Sequence, residues 1–595
     1  MALSAAQIEQ QKKQAEELLF SGPQHLGFAK GLYFGQFNGS ILFPYPELKP
    51  EEQAATRQAI DEVRSYCQAG IDAAAIDRDA LIPQSVIDGL AGVGVMGMTA
   101  PPEFGGRDFG QLAYTKVMEV VGGHCASTAV FVNAHHSIGI RALLLFGTEE
   151  QKRRWLPDLC SARKLAAFAL TENEAGSDAS NVQTTATPAT RDGKEGFVLN
   201  GGKRWITNGG IAGVLTVMAR TPGLAGGASK KKEITAFIVT PDMPGFKVID
   251  ARMEKNSIRG TATGKLAFED MFVPKENVLW QVGKGLRIAL TVLDFGRTTF
   301  GASCTGVAKA CVEATVRHAK KRVQFEQALA EFELVKKKIA FMAAHAFAME
   351  AMTAECASFI DRGFEDFMLE TAMLKVWSTD ALWKIVNDCL QVHGGKGFFM
   401  DEPYERWMRD ARLNLVGEGA NDVLRAFIAM VGIKPLADSL LKVKEASASP
   451  FKNFGTLLRF GAGMVWDHFR TPAVPVQTSA LRPFARTLGT RVRDFAVAVR
   501  GELFKHRDAI LFKQLVQERI ADAACELYAS ACVLARLDSL SAGNGHAATA
   551  AHDLAVGKHY LRFSDRRIRQ NLAALGDHDD ASTLSAAEAA LGRFA

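Results

Sequence analysis

At 595 residues, 48% hydrophobic and 23% charged with a mean hydropathy of zero, the chain is no disordered or fibrous protein, and it is too long for one core, so three or four packed units are expected. A net charge of +5 is too small for a protein that binds nucleic acid through bulk charge, and no run of about 18 uncharged apolar residues is long enough to span a bilayer. Nine scattered cysteines without a CxxC pair, and the lack of an HExxH or EF-hand pattern, argue for reduced thiols over a disulfide framework or metal site. The opening "MALSAAQIEQQKKQAEELLF" lacks the apolar core of a secretion signal and the acid-poor bias of a transit peptide, so a cytoplasmic location is expected.

In chain order, residues 1–50 form an arm ending in the aromatic, proline-rich "GLYFGQFNGSILFPYPELKP", expected to pack on the body. Residues 51–165 carry apolar positions at three- and four-residue spacing, as in "SIGIRALLLFGTEEQKRRWLPDL", and read as an N-terminal helical domain. Gly92, Gly94 and Gly97 satisfy GxGxxG, but they close a helical pattern with no preceding strand, so tight packing outweighs a dinucleotide site. From 166 to 275 the texture changes to short β runs such as "GFVLNGGKRWITNGG" and "EITAFIVTP", a middle β domain. Long helical patterns return over 276–437, a bundle, and a helical extension fills 438–595 after the linker "KEASASPFKNFG". The extension holds 21 Lys and Arg against 16 Asp and Glu, and 452–513 alone holds 11 against 4. Its first helical pattern sets Phe454, Leu457, Leu458, Val465 and Phe469 near one face, which suits docking on its own domain or on a membrane surface.

Three segments bear on chemistry. "AFALTENEAGSDASN" (167–181) runs a short strand into a turn with Thr171, Glu172, Gly176, Ser177 and Asp178, where hydroxyls and backbone amides suit an anionic or heteroaromatic ligand. "NGGKRWITNGG" sets Trp205, Ile206 and Thr207 on another β run, as a flat ring stacked near an indole requires; alone, Trp205 reads as a core aromatic. "NLVGEGANDVLR" places Glu418 between Gly417 and Gly419; alone, it is an acid favoured by a helix N-terminus.

Together with "PPEFGGRDFG", "RVQFEQALAEF", "QVHGGKGF" and "RDARLNLVGEGANDVLRAF", these segments resemble acyl-CoA dehydrogenases in register over essentially the whole chain. The arm and the long extension are similar to the very-long-chain branch, which includes sister proteins that assemble respiratory complex I. The resemblance implies an α+β fold: helical N-terminal domain, middle β domain, C-terminal four-helix bundle, and an extra helical extension. It implies FAD as cofactor and α,β-dehydrogenation of long or very long acyl-CoA, with electrons passed to an electron-transfer flavoprotein. It also implies a homodimer whose tail makes peripheral membrane contact. Rival readings are an assembly or scaffold protein of the same fold, and a flavin oxidase or monooxygenase.

The reaction needs one base for the α-proton, desolvated so that its pKa approaches the working pH, and donors aimed at the thioester oxygen. The resemblance assigns the base to Glu418, with its backbone N–H as an oxyanion donor. Some relatives carry the base just before the arginine of "DFGR", but that position is Gly296, next to Arg297. Phe168, Leu170 and Thr171 are assigned to the flavin edge, Gly176 and Ser177 to the pyrophosphate and acyl-CoA side, and Trp205, Ile206 and Thr207 to the ring face. Arg322, Gln324, Phe325, Gln391, Gly394 and Gly395 would reach the partner subunit's FAD, and Ala420, Asn421 and Asp422 stand in the cofactor turn; Asn421 is also a natural N-cap. Gly296, Arg297, Gly417 and Gly419 would border the substrate. Departures from the family pattern are Gly417 for an aromatic, Ala420 for a hydroxyl residue, and Glu326 where "QFG" is common. Ala129 and Asn133 stand near positions where long-chain members carry glycine, which leaves chain length open.

Overall fold

A computed structural model describes residues 26–221, 233–447, 470–543 and 547–594. The chain divides into two compact units that interleave along the sequence. The first holds Glu47–Phe364 and Ser378–Ala420; the second holds Pro23–Pro46, Glu365–Trp377 and Asn421–Ala595.

The first unit opens with α1 (Pro50–Gly70), α2 (Ala73–Asp79) and α3 (Gln84–Gly92). Proline and two glutamates in the first turn suit the start of α1, and the Asp72 carboxylate caps α2 by accepting from the Ala74 and Ala75 N–H groups. At the glycine triplet, Gly94 adopts φ +71° and a Cβ at Gly97 would lie 2.7 Å from Cys160 Cβ, so these glycines serve a turn and close packing. Next come α4 (Gln111–His124), α5 (Ala126–Val132), a π-helical turn (Asn133–Ile140), α6 (Arg141–Phe146) and α7 (Glu149–Cys160). A reciprocal Thr148–Gln151 capping box starts α7. Residues Ala126–Phe146 form the one helix among the described residues apolar and long enough to cross a membrane, but two thirds of it is buried in this core.

Seven strands follow: β1 (Ala166–Ala169), β2 (Thr185–Arg191), β3 (Lys194–Ile206), β4 (Val214–Thr221), β5 (Glu233–Val239), β6 (Phe246–Asp250) and β7 (Gly264–Pro274). They form one sheet in the order β1-β4-β2-β3-β7-β6, with β5 also paired to β4. β1 runs parallel to β4 with Ala166 opposite Val214, and β3 is antiparallel to both β2 and β7. Register breaks on β3 between Leu199 and Gly201 and between Lys203 and Ile206. The unit closes with α8 (Gly285–Lys321), the hairpin β8 (Val323–Gln324) and β9 (Gln327–Ala328), α9 (Glu333–Asp361), α10 (Met368–His393) and α11 (Tyr404–Asn414); the unit boundary cuts α10 after Trp377. All nine cysteines are buried thiols.

The second unit is built on α12 (Asn421–Ser447), α13 (Arg482–His506), α14 (Gln514–Ser541), α15 (Ala547–Ala573) and α16 (Asp580–Arg593). The N-terminal arm belongs here. Its short helix Phe28–Tyr33 donates the Tyr33 hydroxyl to the Ile428 carbonyl (3.0 Å), packs Tyr33 on Phe495 (5.0 Å between rings), and sets Phe28 beside Tyr528. Gly432 admits the Tyr33 ring, which a Cβ there would overlap at 2.0 Å. The expected packing of the arm on the body is seen in its described residues, since Tyr33 meets Ile428 and Gly432 and the Ala29 N–H donates to Glu370, all within 276–437, and Phe495 and Tyr528 continue the same core into the tail. The apolar face from Phe454 to Phe469 lies outside the described residues. Of the basic stretch, Arg491 pairs with Asp494 and Asp565, and Arg493 with Asp494, so part of that charge is spent inside the tail, while Arg482 and Arg486 remain exposed.

Candidate active site

Glu418 sits in the turn between α11 and α12, and α11 is what fixes that turn. Arg409 on α11 makes a two-pronged contact with Asp77 on α2, also bonds Glu405, and donates to the Asn256 carbonyl. One residue on, buried Asp410 accepts the Ile258 N–H at 2.8 Å; burial raises its pKa to about 6. The helix ends as the Gly417 N–H returns to the Leu413 carbonyl, and Glu418 then takes φ +55° and Gly419 φ +99°. A glutamate in left-handed conformation is strained, and such residues gather at functional sites.

The two glycines therefore differ. Gly419 is required by its positive φ, whereas a Cβ at Gly417 would meet only ordinary contacts at 3.6–3.9 Å. Close approach at Glu418 comes instead from α8: a Cβ on Gly296 would lie 2.7 Å from Glu418 Oε2. Arg297, paired with Asp294 at 3.1 Å in a buried setting, directs its Nε to the Glu418 carbonyl oxygen at 3.5 Å. From the π-helical turn, Asn133 Nδ2 donates to Glu418 Oε1 at 2.5 Å. Such turns insert an extra residue into a helix and recur at functional sites. Past Ala134 in the same turn stand two neutral histidines. Burial takes His135 down to about 4, and the Ala166 N–H donates to its Nδ1; His136, lowered by burial and then by Arg141, accepts the Thr99 N–H at Nε2.

The two β segments are tied together by Glu172, which the sequence places in the turn, and by Lys203, which the sequence reading passed over. Lys203 is fully buried on β3; its Nζ meets Glu172 Oε1 at 2.6 Å and the Leu170 carbonyl at 3.0 Å. Burial lowers Lys203 to about 8, with the Glu172 charge opposing; burial also raises Glu172, but Lys203 and the Thr184 and Gln183 bonds outweigh it and hold Glu172 low. The Arg204 N–H donates to the Thr171 carbonyl, closing the tie. A lysine on the inward register of a strand, 31 residues after a glutamate in a turn, was the available signal.

At the second β3 irregularity Trp205 takes φ +59° and stands 51% exposed with Arg204 over its ring, so it is no core aromatic. Bulges re-aim side chains in this way. Ile206 is buried beneath it, Asn208 bonds the Phe131 carbonyl, and Thr207 lies between them. Phe168 and Leu170 are half-buried at the core edge, Ser177 is exposed, and a Cβ at Gly176 would meet nothing within 4 Å. An outward indole, a hydroxyl row and an open glycine turn fit a flavin and its pyrophosphate.

A second group lies elsewhere. Arg322, Gln324 and Phe325 sit at the C-terminal end of α8 and its hairpin, and Gln391, Gly394 and Gly395 at the end of α10; His318 and His393 bring these ends together with rings 4.4 Å apart. All six residues are exposed, and a Cβ at Gly394 or Gly395 would meet open space. Gly296 and Arg322 are 26 residues apart along and just past one helix, about 39 Å, so this second group lies far from the carboxylate seated on Gly296. Asn421 Oδ1 accepts from buried Lys375 at 2.7 Å, within the second unit to which Asp422 also belongs; Ala420 ends the first.

Family models match along the chain in the same order: acyl-CoA dehydrogenase N-terminal domain over 51–163, middle domain over 167–271, C-terminal domain over 283–433, and the ACAD9/ACADV C-terminal domain over 479–590. The chain is similar to the human very long-chain specific acyl-CoA dehydrogenase, mitochondrial, at 34% identity over 92% of this chain and 84% of that one. It is similar to the probable acyl-CoA dehydrogenase FadE10 of Mycobacterium tuberculosis, at 31% identity over 98% and 92%. Its fold matches an acyl-CoA dehydrogenase complexed with FAD from Bacillus anthracis at a TM-score of 0.74 and 25% identity, covering 92% and 91% of the two chains. A sheet with an outward indole, a carboxylate seated over Gly296 and a tail with its own family match are accounted for at once: the chain belongs to the acyl-CoA dehydrogenase family, and it is an FAD-dependent oxidoreductase of acyl-CoA thioesters.

Proposed function

We propose that Glu418 is the base that removes the α-proton of a long-chain acyl-CoA, and that the residues around it divide the remaining work. The observation that carries this is the seating of the Glu418 carboxylate against Gly296, where a side chain would collide with it, between Asn133 and Arg297. The backbone N–H of Glu418 is the proposed donor to the thioester oxygen, where charge builds as the α-proton leaves. Arg297 holds the turn by its carbonyl, and Gly417 and Gly419 leave the mouth without side chains. FAD, when bound, supplies the acceptor for two electrons and the β-hydrogen. Trp205, Ile206, Thr207, Phe168, Leu170 and Thr171 border its ring in this reading, and Gly176 and Ser177 its phosphates. Anaerobic titration of the flavoprotein with acyl-CoAs of graded length tests it. Bleaching of the flavin is expected with the wild type and none with Glu418→Gln; full bleaching by that variant would place the base elsewhere.

The exposure of this second group and its distance from the Glu418 site support a homodimer in which Arg322, Gln324, Phe325, Gln391, Gly394 and Gly395 reach the partner's FAD. Exposed Phe325 (88%), Phe398 (74%), Phe399 (66%) and Met400 (73%) form the apolar surface that such an interface covers. Sedimentation velocity checks the dimer. The electron acceptor is proposed to be an electron-transfer flavoprotein. The tail is proposed to make salt-sensitive peripheral contact with anionic membranes through bases such as Arg482 and Arg486; vesicle sedimentation of the full chain at low and high salt, against the Arg482→Glu/Arg486→Glu variant, reads it.

A further inference from the structure

Between β6 and β7, the loop of residues 251–263 holds a conformation that its sequence does not favour. Ile258 sits at φ +51° and is 1% exposed, and a β-branched residue stays in the left-handed region only where its surroundings force it there. The loop closes on itself around this residue. The Ile258 carbonyl accepts the Thr261 N–H at 3.2 Å and the Thr261 hydroxyl at 2.9 Å, and Lys255 Nζ donates to the Thr261 carbonyl at 2.8 Å. Its outward bonds reach two helices. The Ile258 N–H donates to Asp410 Oδ1 on α11 at 2.8 Å, with Arg409 on the Asn256 carbonyl alongside, and the Gly260 N–H donates to Ser127 Oγ on α5 at 3.3 Å. Gly260 is wedged in place, since a Cβ there would lie 2.4 Å from Ile76 Cγ2 and 3.2 Å from Ser127 Cβ.

Those two helices are the ones that lead to the carboxylate. α11 runs into the turn that carries Glu418, and α5 runs into the π-helical turn whose Asn133 bonds Glu418 Oε1. We infer that the loop 251–263 is a brace that sets the spacing of α5 and α11, and that Asp410 is a positioning residue for Glu418 that acts by holding Ile258 in its left-handed conformation. The inference rests on Glu418 being the base. Without the Asp410 acceptor the buried Ile258 N–H is left unpaired, so the chain relaxes toward negative φ and draws Gly260 away from Ser127. The two ends of the brace then shift together, and the carboxylate loses its alignment while the groups that border the substrate stay in place.

The test compares wild type with Asp410→Ala and with Asp410→Asn, which keeps a carbonyl oxygen for the Ile258 N–H. Each flavoprotein is normalised to FAD content and reduced anaerobically with palmitoyl-CoA in stopped flow. In Asp410→Ala the limiting rate of flavin reduction should fall by on the order of tenfold to a hundredfold, since small displacements of a reacting group are that costly. The half-saturating acyl-CoA concentration should change by less than about twofold, because binding is not what is lost. Infrared difference spectra against Glu418→Gln should show the Glu418 carboxylate band displaced, a readout independent of turnover. Asp410→Asn should restore both rate and band. If Asp410→Ala does not fold, Ser127→Ala removes the other end of the brace and should give the same pattern with a smaller loss. A wild-type limiting rate with an unmoved carboxylate band in the folded variant would overturn the inference, whether or not its stability fell. Activity retained by Glu418→Gln would instead remove the reading beneath it.

Discussion

Gly296 lacks a side chain because Glu418 already fills the space. Gly296→Ala places a carbon 2.7 Å from Oε2 and moves the carboxylate, and displacements of that order cost on the order of a hundredfold in rate. Stopped-flow flavin reduction should show that loss with FAD content unchanged, whereas Gly417→Ala should leave the rate within about twofold, since its Cβ meets only van der Waals contacts. Glu326 makes a second case. Phe325 and Glu326 form the β8–β9 turn at φ +53° and +64°, where hairpins favour glycine. Glu326→Gly should therefore stabilise the hairpin by about 1 kcal/mol, read as slower amide exchange at residues 322–329. The sequence named Glu418 and both of these glycine substitutions. It could not tell Gly417 from Gly419, because two flanking glycines look alike until φ separates a conformational need from a vacant position.

Among the elements, β3 decides how the flavin face is presented. Its strand character and the turn at 171–177 were legible from alternation and glycine. The irregularity that ejects Trp205 was not, because a bulge depends on the pairing of β3 with β7 and not on β3 alone. The π-helical turn that aims Asn133 was hidden likewise, since "NAHHSIGI" has ordinary helical spacing. Lys203 and Glu172 test the tie beneath the face. Lys203→Met strands a buried carboxylate and should destabilise the protein by about 3–5 kcal/mol in urea melts, whereas Lys203→Met/Glu172→Leu should recover most of the loss. A double variant as weak as the single one would place the stabilisation in backbone pairing.

At the scale of the whole molecule, five successive segments were legible from texture, and the helical, β and helical order follows them. Their grouping was not, because contacts between residues hundreds apart leave no periodic trace. Glu370 in the second unit makes the grouping testable. It accepts the Ala29 N–H at 2.7 Å, and burial, then Asp366, raises it to about 7 from 4.5. The folded state thus keeps its proton where the unfolded chain has lost it, so stability falls as pH rises from 4.5 to 7. The arm should resist proteolysis better at pH 5 than at pH 7.5, by on the order of 2 kcal/mol, and Glu370→Gln should flatten the difference. The shared core of arm, α10 start and tail has a genetic meaning as well. Excising 438–595 does not subtract a module: it strips Tyr33 and Phe28 of their partners Phe495 and Tyr528 and leaves their aromatic faces in water. Three separated stretches of the gene are obliged to change together, and a tail borrowed from another protein would fold here only if it arrived with a segment matching Phe28–Tyr33.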